Sequence, residues 1–238
     1  MLLITASCRS AKYLNEDQAL VVDVDINGLS AGLKEKSSAY VSTELRPNSE
    51  LNLFIYNLFN SKNGKYKTSK IRNVGEAPHV LDSSLVELSN QQITRFLQSK
   101  GYFQAAVTPA IAVKKKKARI TFDAQIGDPY LVNNISYQAD NKAIEAIYAA
   151  EVRAQSRLQS GKQYDATDLL AERELLYFKL KEKGYFDYLR QYMRVAVDTN
   201  QVGNKANLAF SIINPSDSSN HKIYTIDSIY VHIINPDG

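Results

Sequence analysis

The 238-residue sequence has a single cysteine, at position 8, and no tryptophan. One thiol excludes an internal disulfide, and the lack of a cysteine pair removes the usual zinc spacings. The three histidines, His79, His221 and His232, are scattered without the paired spacing of metal ligands. No run approaches the roughly 18 apolar residues that a membrane-crossing helix requires. Net charge is only +4, whereas nucleic-acid binders carry a stronger, clustered basic excess. The obvious basic run, Lys114-Lys115-Lys116-Lys117, sits between two strand-like segments. It reads as a solvated hairpin turn, with a polyanion or lipid-headgroup site as the alternative. A Gly-rich phosphate loop, a GxSxG elbow and a base near Cys8 are all missing as well. No enzyme is expected from this inventory; only distant residues converging on one site would make one.

What the chain does hold is a repeat. Leu97-Gln98-Ser99-Lys100-Gly101-Tyr102-Phe103 returns 83 residues later as Leu180-Lys181-Glu182-Lys183-Gly184-Tyr185-Phe186. Each copy follows a helical pattern and precedes a β-rich one. The glycine supplies the left-handed conformation of a helix C-cap, and the lysine before it suits the negative end of the helix dipole. The aromatics then lead toward a strand, so the motif reads as cap plus core. A recurrence with the same surroundings marks a repeated module. With 44% hydrophobic and 23% charged residues, the chain is of globular type and long enough for two or three small domains.

Taken in order, Met1 to Cys8 is apolar, then small, then cysteine, like the end of a bacterial lipoprotein signal whose cysteine is acylated. No basic n-region precedes it, and Thr5 stands where leucine is commoner, which fits a truncated leader; a buried free thiol is the alternative. Residues 18–26 alternate as a half-buried strand, with Asp23 and Asp25 on its solvated face. Asn27-Gly28 signals a turn, and Ser30 caps a helix expected to run to about Leu45 before Pro47. Residues 48–81 form an insertion. Leu51, Leu53, Phe54, Ile55, Tyr56, Leu58 and Phe59 make a short helix apolar on more than one face, and a basic arm follows. That piece either packs back on its own domain or presents a surface to a partner or membrane interface. Asp82 or Ser83 caps the helix leading to the first Gly-Tyr-Phe, and strands follow at 104–113 and 117–126. The second unit repeats the order. A strand at 130–138 precedes a helix at 141–155 and another capped by Asp165, then strands at about 189–198 and 205–213. After a polar linker, Ile223 to Ile234 reads as the first strand of a third unit.

The strand–helix–helix–strand–strand order, with Lys-Gly-Tyr-Phe between second helix and second strand, resembles POTRA domains. These are the periplasmic modules of the BamA and TamA superfamily of outer-membrane assembly proteins. Within it the sequence is most similar to the TamA-like lipoproteins (TamL) of the Bacteroidetes. The resemblance lies in Cys8-Arg9-Ser10-Ala11-Lys12-Tyr13-Leu14, Tyr56-Asn57-Leu58, Gly75-Glu76-Ala77-Pro78 through Asp82-Ser83-Ser84, and the Lys-Gly-Tyr-Phe pair.

The resemblance implies an α+β fold of tandem βααββ modules, each a three-stranded mixed sheet covered by two helices. The modules are expected at 18–127 and 128–215, after a signal and linker at 1–17 and before a linker and incomplete third module at 216–238. It implies a place at the periplasmic side of a bacterial outer membrane, a C-terminal barrel not seen in this sequence, and no cofactor. Partners would be unfolded outer-membrane proteins or a TamB-like periplasmic protein. The physics agrees, because the edge of a small sheet offers unpaired main-chain groups to an extended polypeptide. The expected contact residues are edge-strand backbone at Val107, Ile111, Val195 and Val197, with Phe54, Ile55, Tyr56 and Phe59 of the insertion. Cys8 is the lipidation residue; Gly101, Tyr102, Phe103, Gly184, Tyr185 and Phe186 are structural. The alternatives are a structural spacer or docking module without client binding, and a barrel-free POTRA protein of division or secretion.

Overall fold

The computed structural model describes residues 14–59, 75–215 and 220–232. The chain divides into two compact units, Met1–Asp128 and Pro129–Gly238. Each holds a three-stranded mixed sheet with helices, an α+β architecture.

In the first unit, β1 (Leu20–Asn27) leads to α1 (Ala31–Ser38), α2 (Glu50–Phe59) and α3 (Ser83–Ser99). The hairpin β2 (Ala106–Lys114) and β3 (Lys117–Gln125) follows. The order across the sheet is β1-β3-β2, with β1 parallel and β2 antiparallel to the central β3. β3 alternates buried Ala118, Ile120, Phe122 and Ala124 with more exposed neighbours. Its buried face meets Val86, Ile93, Phe96 and Leu97 of α3. Burial of these apolar faces is the main favourable contribution to folding. Asp82 accepts the amide hydrogen of Ser84 as the N-cap of α3.

Gly28, at φ 79°, turns the chain after β1 so tightly that a Cβ there would stand 2.0 Å from the Ala124 carbonyl oxygen. Only glycine fits this turn.

The helix starting after Ser30 ends at Ser38, well short of Leu45, and the Ser30 side chain makes no cap bond. The reason is packing. Val41 and Leu45 must both reach the core, and Ser42 turns its amide to the Ser89 hydroxyl, so the chain breaks into a 3-10 turn at Thr43–Leu45.

In the second unit, β4 (Leu131–Ala139) precedes α4 (Lys142–Ile147), which continues as a π turn over Tyr148–Val152 and a 3-10 turn over Arg153–Gln155. The expected single helix at 141–155 is therefore composite, the wider π turn carrying Tyr148 and Val152 into full burial. Asp165 caps α5 (Ala166–Glu182), and β5 (Met193–Gln201) and β6 (Lys205–Ile212) close the sheet in the order β4-β6-β5. Residues 220–232 adopt neither helix nor strand. No helix among the described residues is long and apolar enough to cross a membrane.

Candidate interaction surfaces

The β2–β3 hairpin turns on two residues, Lys115 and Lys116, at φ 53° and 59°. Positive φ at both turn residues matches the right-handed twist of the strands they join. The lysine run thus makes the turn. Lys116 is held there: its carbonyl accepts from the Leu20 amide at 2.8 Å and its ammonium donates to the Leu14 carbonyl at 3.2 Å.

A two-residue loop fixes the hydrogen-bond phase of the hairpin. Lys114 and Lys117 close it as a bonded pair, so the bonded pairs recur at every second residue back to Ala106 and Gln125. Val107, Pro109, Ile111 and Val113 fall in the other class, with their main-chain groups turned outward from the sheet. The Val107 side chain is buried in the core while its amide and carbonyl lie on the open edge. Pro109 has no amide hydrogen, so this edge lacks one donor in its middle.

In the second unit the Ile213 amide donates to the Tyr192 carbonyl at 2.9 Å. That bond sets the phase of β5: Arg194, Ala196 and Asp198 bond to β6, while Met193, Val195 and Val197 present their main-chain groups outward. No proline interrupts β5. Among the described residues, no other backbone group bonds to these outward amides and carbonyls.

The opposite edge of each sheet is different. Val21 donates to the His79 carbonyl and Leu81 to that of Ala19, which covers the start of β1. Val132 donates to Lys162, and Gly161 to Val132, doing the same for β4. The antiparallel strands β2 and β5 are left as the longer open edges. Beside the β5 edge, an open groove of about 460 Å³ crosses the second sheet, lined by Gln138, Asp140, Arg194, Ala196 and Ser211 among others.

Two apolar helix faces complete the surfaces. On α2, Leu53 is buried, whereas Leu51 (66% exposed), Phe54 (57%) and Leu58 (53%) share the outer face. Ile55, Tyr56 and Phe59 are half-buried, so of the four insertion residues expected at a contact only Phe54 stands fully out. On α5, Leu170 and Phe178 are exposed, and the Arg190 guanidinium covers Tyr177 at 3.7 Å from the ring centre while bonding to Glu174. The corresponding positions of α3 are Glu87, Arg95 and Thr94, so this face belongs to the second unit alone. The doubled runs Leu169-Leu170 and Leu175 to Phe178 were the signal for it, since one buried stripe cannot absorb them all.

The Gly-Tyr-Phe copies have diverged. Gly101 and Gly184 share the expected left-handed backbone, at φ 90° and 87°. Tyr185 is buried, but Phe186 is 70% exposed and does not join the core. It meets Tyr224 edge-on, because the segment after β6 docks on this corner. The Tyr224 amide donates to the Gly184 carbonyl at 2.8 Å and its hydroxyl bonds to Asp187. His221 is buried between Tyr188 and Tyr192, with Nε2 3.0 Å from the Ile213 carbonyl. No local pattern announces this anchor. Burial pushes the Tyr188 phenol well above its ordinary range. Cys8 lies outside the described residues. Among those described, no group of three His, Cys, Asp or Glu side chains is placed to hold a metal ion.

Residues 21–126 match the family model described as POTRA: Surface antigen variable number repeat. That match covers less than half of the chain and falls within the first unit, and the second unit repeats the sheet order and long helix of the first. Among solved structures, the chain is similar to POTRA domains 3–5 of BamA from Haemophilus influenzae, at 14% identity and a TM-score of 0.44 over 82% of this chain and 61% of that one. It is also similar to BamA from Haemophilus ducreyi lacking POTRA domains 1–3, at 12% identity and 0.44 over 82% and 29%. POTRA domains 1–2 of the periplasmic domain of Omp85 from Anabaena align at 16% and 0.40 over 82% and 96%. The chain therefore spans less than two thirds of either BamA structure. No curated protein matches it in sequence.

Proposed function

We propose that this chain is the periplasmic POTRA region of an outer-membrane protein assembly or translocation factor of the TamL type. It binds client or partner polypeptides by strand addition at the open edges of β2 and β5, with the apolar helix faces as further contacts. The modules run over 18–127 and 128–215, and the segment that follows leads toward a third module without forming its first strand over 220–232. Cys8 carries the lipid anchor, and a barrel beyond the modules holds the membrane. The clients are unfolded outer-membrane proteins or a TamB-like periplasmic protein, on the periplasmic side of the bacterial outer membrane.

The observation that carries this reading is the outward phase of Val195 and Val197. Both offer a donor and an acceptor to an extended chain, without demanding a particular side-chain sequence. The test is binding of a fluorescent, alternating apolar–polar peptide to the wild type and to Val195→Pro/Val197→Pro. Loss of both donors is expected to weaken binding by about tenfold or more, since each main-chain bond contributes about 1 kcal/mol. Unchanged binding contradicts strand addition at β5. Pro109 favours a second reading for the first unit alone, that of a spacer, because a missing donor blunts its edge.

A further inference from the structure

The outer face of α2 is apolar and exposed. Leu51, Phe54 and Leu58 follow one another at helical spacing, all more than half exposed, and no charged residue occurs from Leu51 to Phe59. A monomeric surface seldom shows such a stripe without an interaction to explain it. The sequence that continues from the helix, residues 60–74, holds Lys62, Lys65, Lys67, Lys70 and Arg72 and no acidic residue. An apolar helix face joined to a purely cationic sequence is the composition that anionic bilayer surfaces attract.

The placement of α2 fits the same occupant. Its buried residue Leu53 packs with Leu14 and Leu20 in a small apolar cluster of its own. Leu14 therefore belongs to the same cluster as the buried side of α2. Cys8 precedes Leu14 by six residues, a reach of about 20 Å for an extended chain. An acyl group at Cys8 would hold α2 close to the lipid surface, and a single weak anchor gains most from a second contact of this kind.

We infer that the Leu51–Phe54–Leu58 face of α2 docks on an anionic phospholipid bilayer. The inference is independent of strand addition and does not require acylation, so it is tested on the unacylated 238-residue chain. Flotation is measured with vesicles of phosphatidylethanolamine and phosphatidylglycerol, and with vesicles of phosphatidylcholine alone. Wild type is expected to float with the anionic vesicles, less so at high salt, and to stay behind with the neutral ones.

Phe54→Ser/Leu58→Ser, both at exposed positions, is expected to reduce partitioning by about tenfold with the melting temperature unchanged, given the apolar area removed. The matched change on the second unit, Leu170→Ser/Phe178→Ser, is expected to leave partitioning intact. Three results would overturn the assignment. They are absence of flotation with anionic vesicles, equal loss in both double variants, or a lipid-free dimer that the α2 variant abolishes, which would make a second copy the occupant.

Discussion

The phenol of Tyr148 donates to the Glu172 carboxylate at 2.6 Å inside the second unit, where Glu172 is only 1% exposed. The residue 83 positions earlier is Ser89, equally buried, whose hydroxyl accepts the Ser42 amide. Both units thus tie the long helix to the segment before it through a buried polar contact at one position, with different chemistry in each.

Removing one half of the second contact is expected to destabilise more than removing both. Tyr148→Phe strands a buried carboxylate, and Glu172→Leu strands a buried hydroxyl, each costing about 1–3 kcal/mol or more. The double variant Tyr148→Phe/Glu172→Leu should recover part of that loss. Urea unfolding of the four proteins measures the coupling, and strict additivity would show that the bond contributes nothing specific.

Alkali should weaken the second unit. Burial, then the bond to Glu172, raises the Tyr148 phenol far above its ordinary value of 10.0, and burial raises Tyr164 and Tyr188 too. A raised native-state value means that the folded form keeps protons which the unfolded form loses above about pH 10. The stabilisation is complete below that pH and declines as pH rises toward the folded-state values. Thermal melts from pH 8 to 11 should show the decline, and Tyr148→Phe should flatten it. A melting temperature independent of pH over that range would contradict the burial.

Gly184→Ala is expected to loosen the exit segment. A Cβ at φ 87° would stand 2.8 Å from the Tyr224 carbonyl oxygen and 3.0 Å from Ile223, adding contact to about 1 kcal/mol of backbone strain. Amide exchange at Tyr224, whose hydrogen is held by Gly184, should accelerate while the α5 core stays protected. Equal protection in the variant would show that the segment is held elsewhere.

Much of this architecture is legible in the residues. Asp82 and Asp165 sit where their carboxylates cap the long helices, Gly101 and Gly184 end them, and the alternation in β3 and β6 shows which face is buried. Those features are local. The early end of α1 is not, because Ser42 leaves the helix to meet Ser89, 47 residues away. The π turn at Tyr148 likewise answers to Glu172, and Phe186 is exposed because Tyr224 arrives from outside the repeat. Among the candidate surfaces, that of the insertion is visible as excess hydrophobicity. The outward phase of β2 follows only once its hairpin loop is known to contain two residues, and that of β5 only from the bond between Ile213 and Tyr192.

Pro109 offers a gain-of-function test. Replacing it by valine restores the missing donor on β2 without disturbing a ladder bond, since that position faces outward. Peptide binding to the first unit should strengthen by a few-fold, in keeping with one added hydrogen bond. Unchanged affinity would mean that extended chains do not use this edge.

The central claim is tested most directly by amide exchange at Val195 and Val197 with and without an extended outer-membrane-protein segment. Strand addition predicts that both amides become protected on binding, while the already bonded amides of Arg194 and Ala196 change little. Protection confined to α2 or α5, or none at all under saturating peptide, would contradict it.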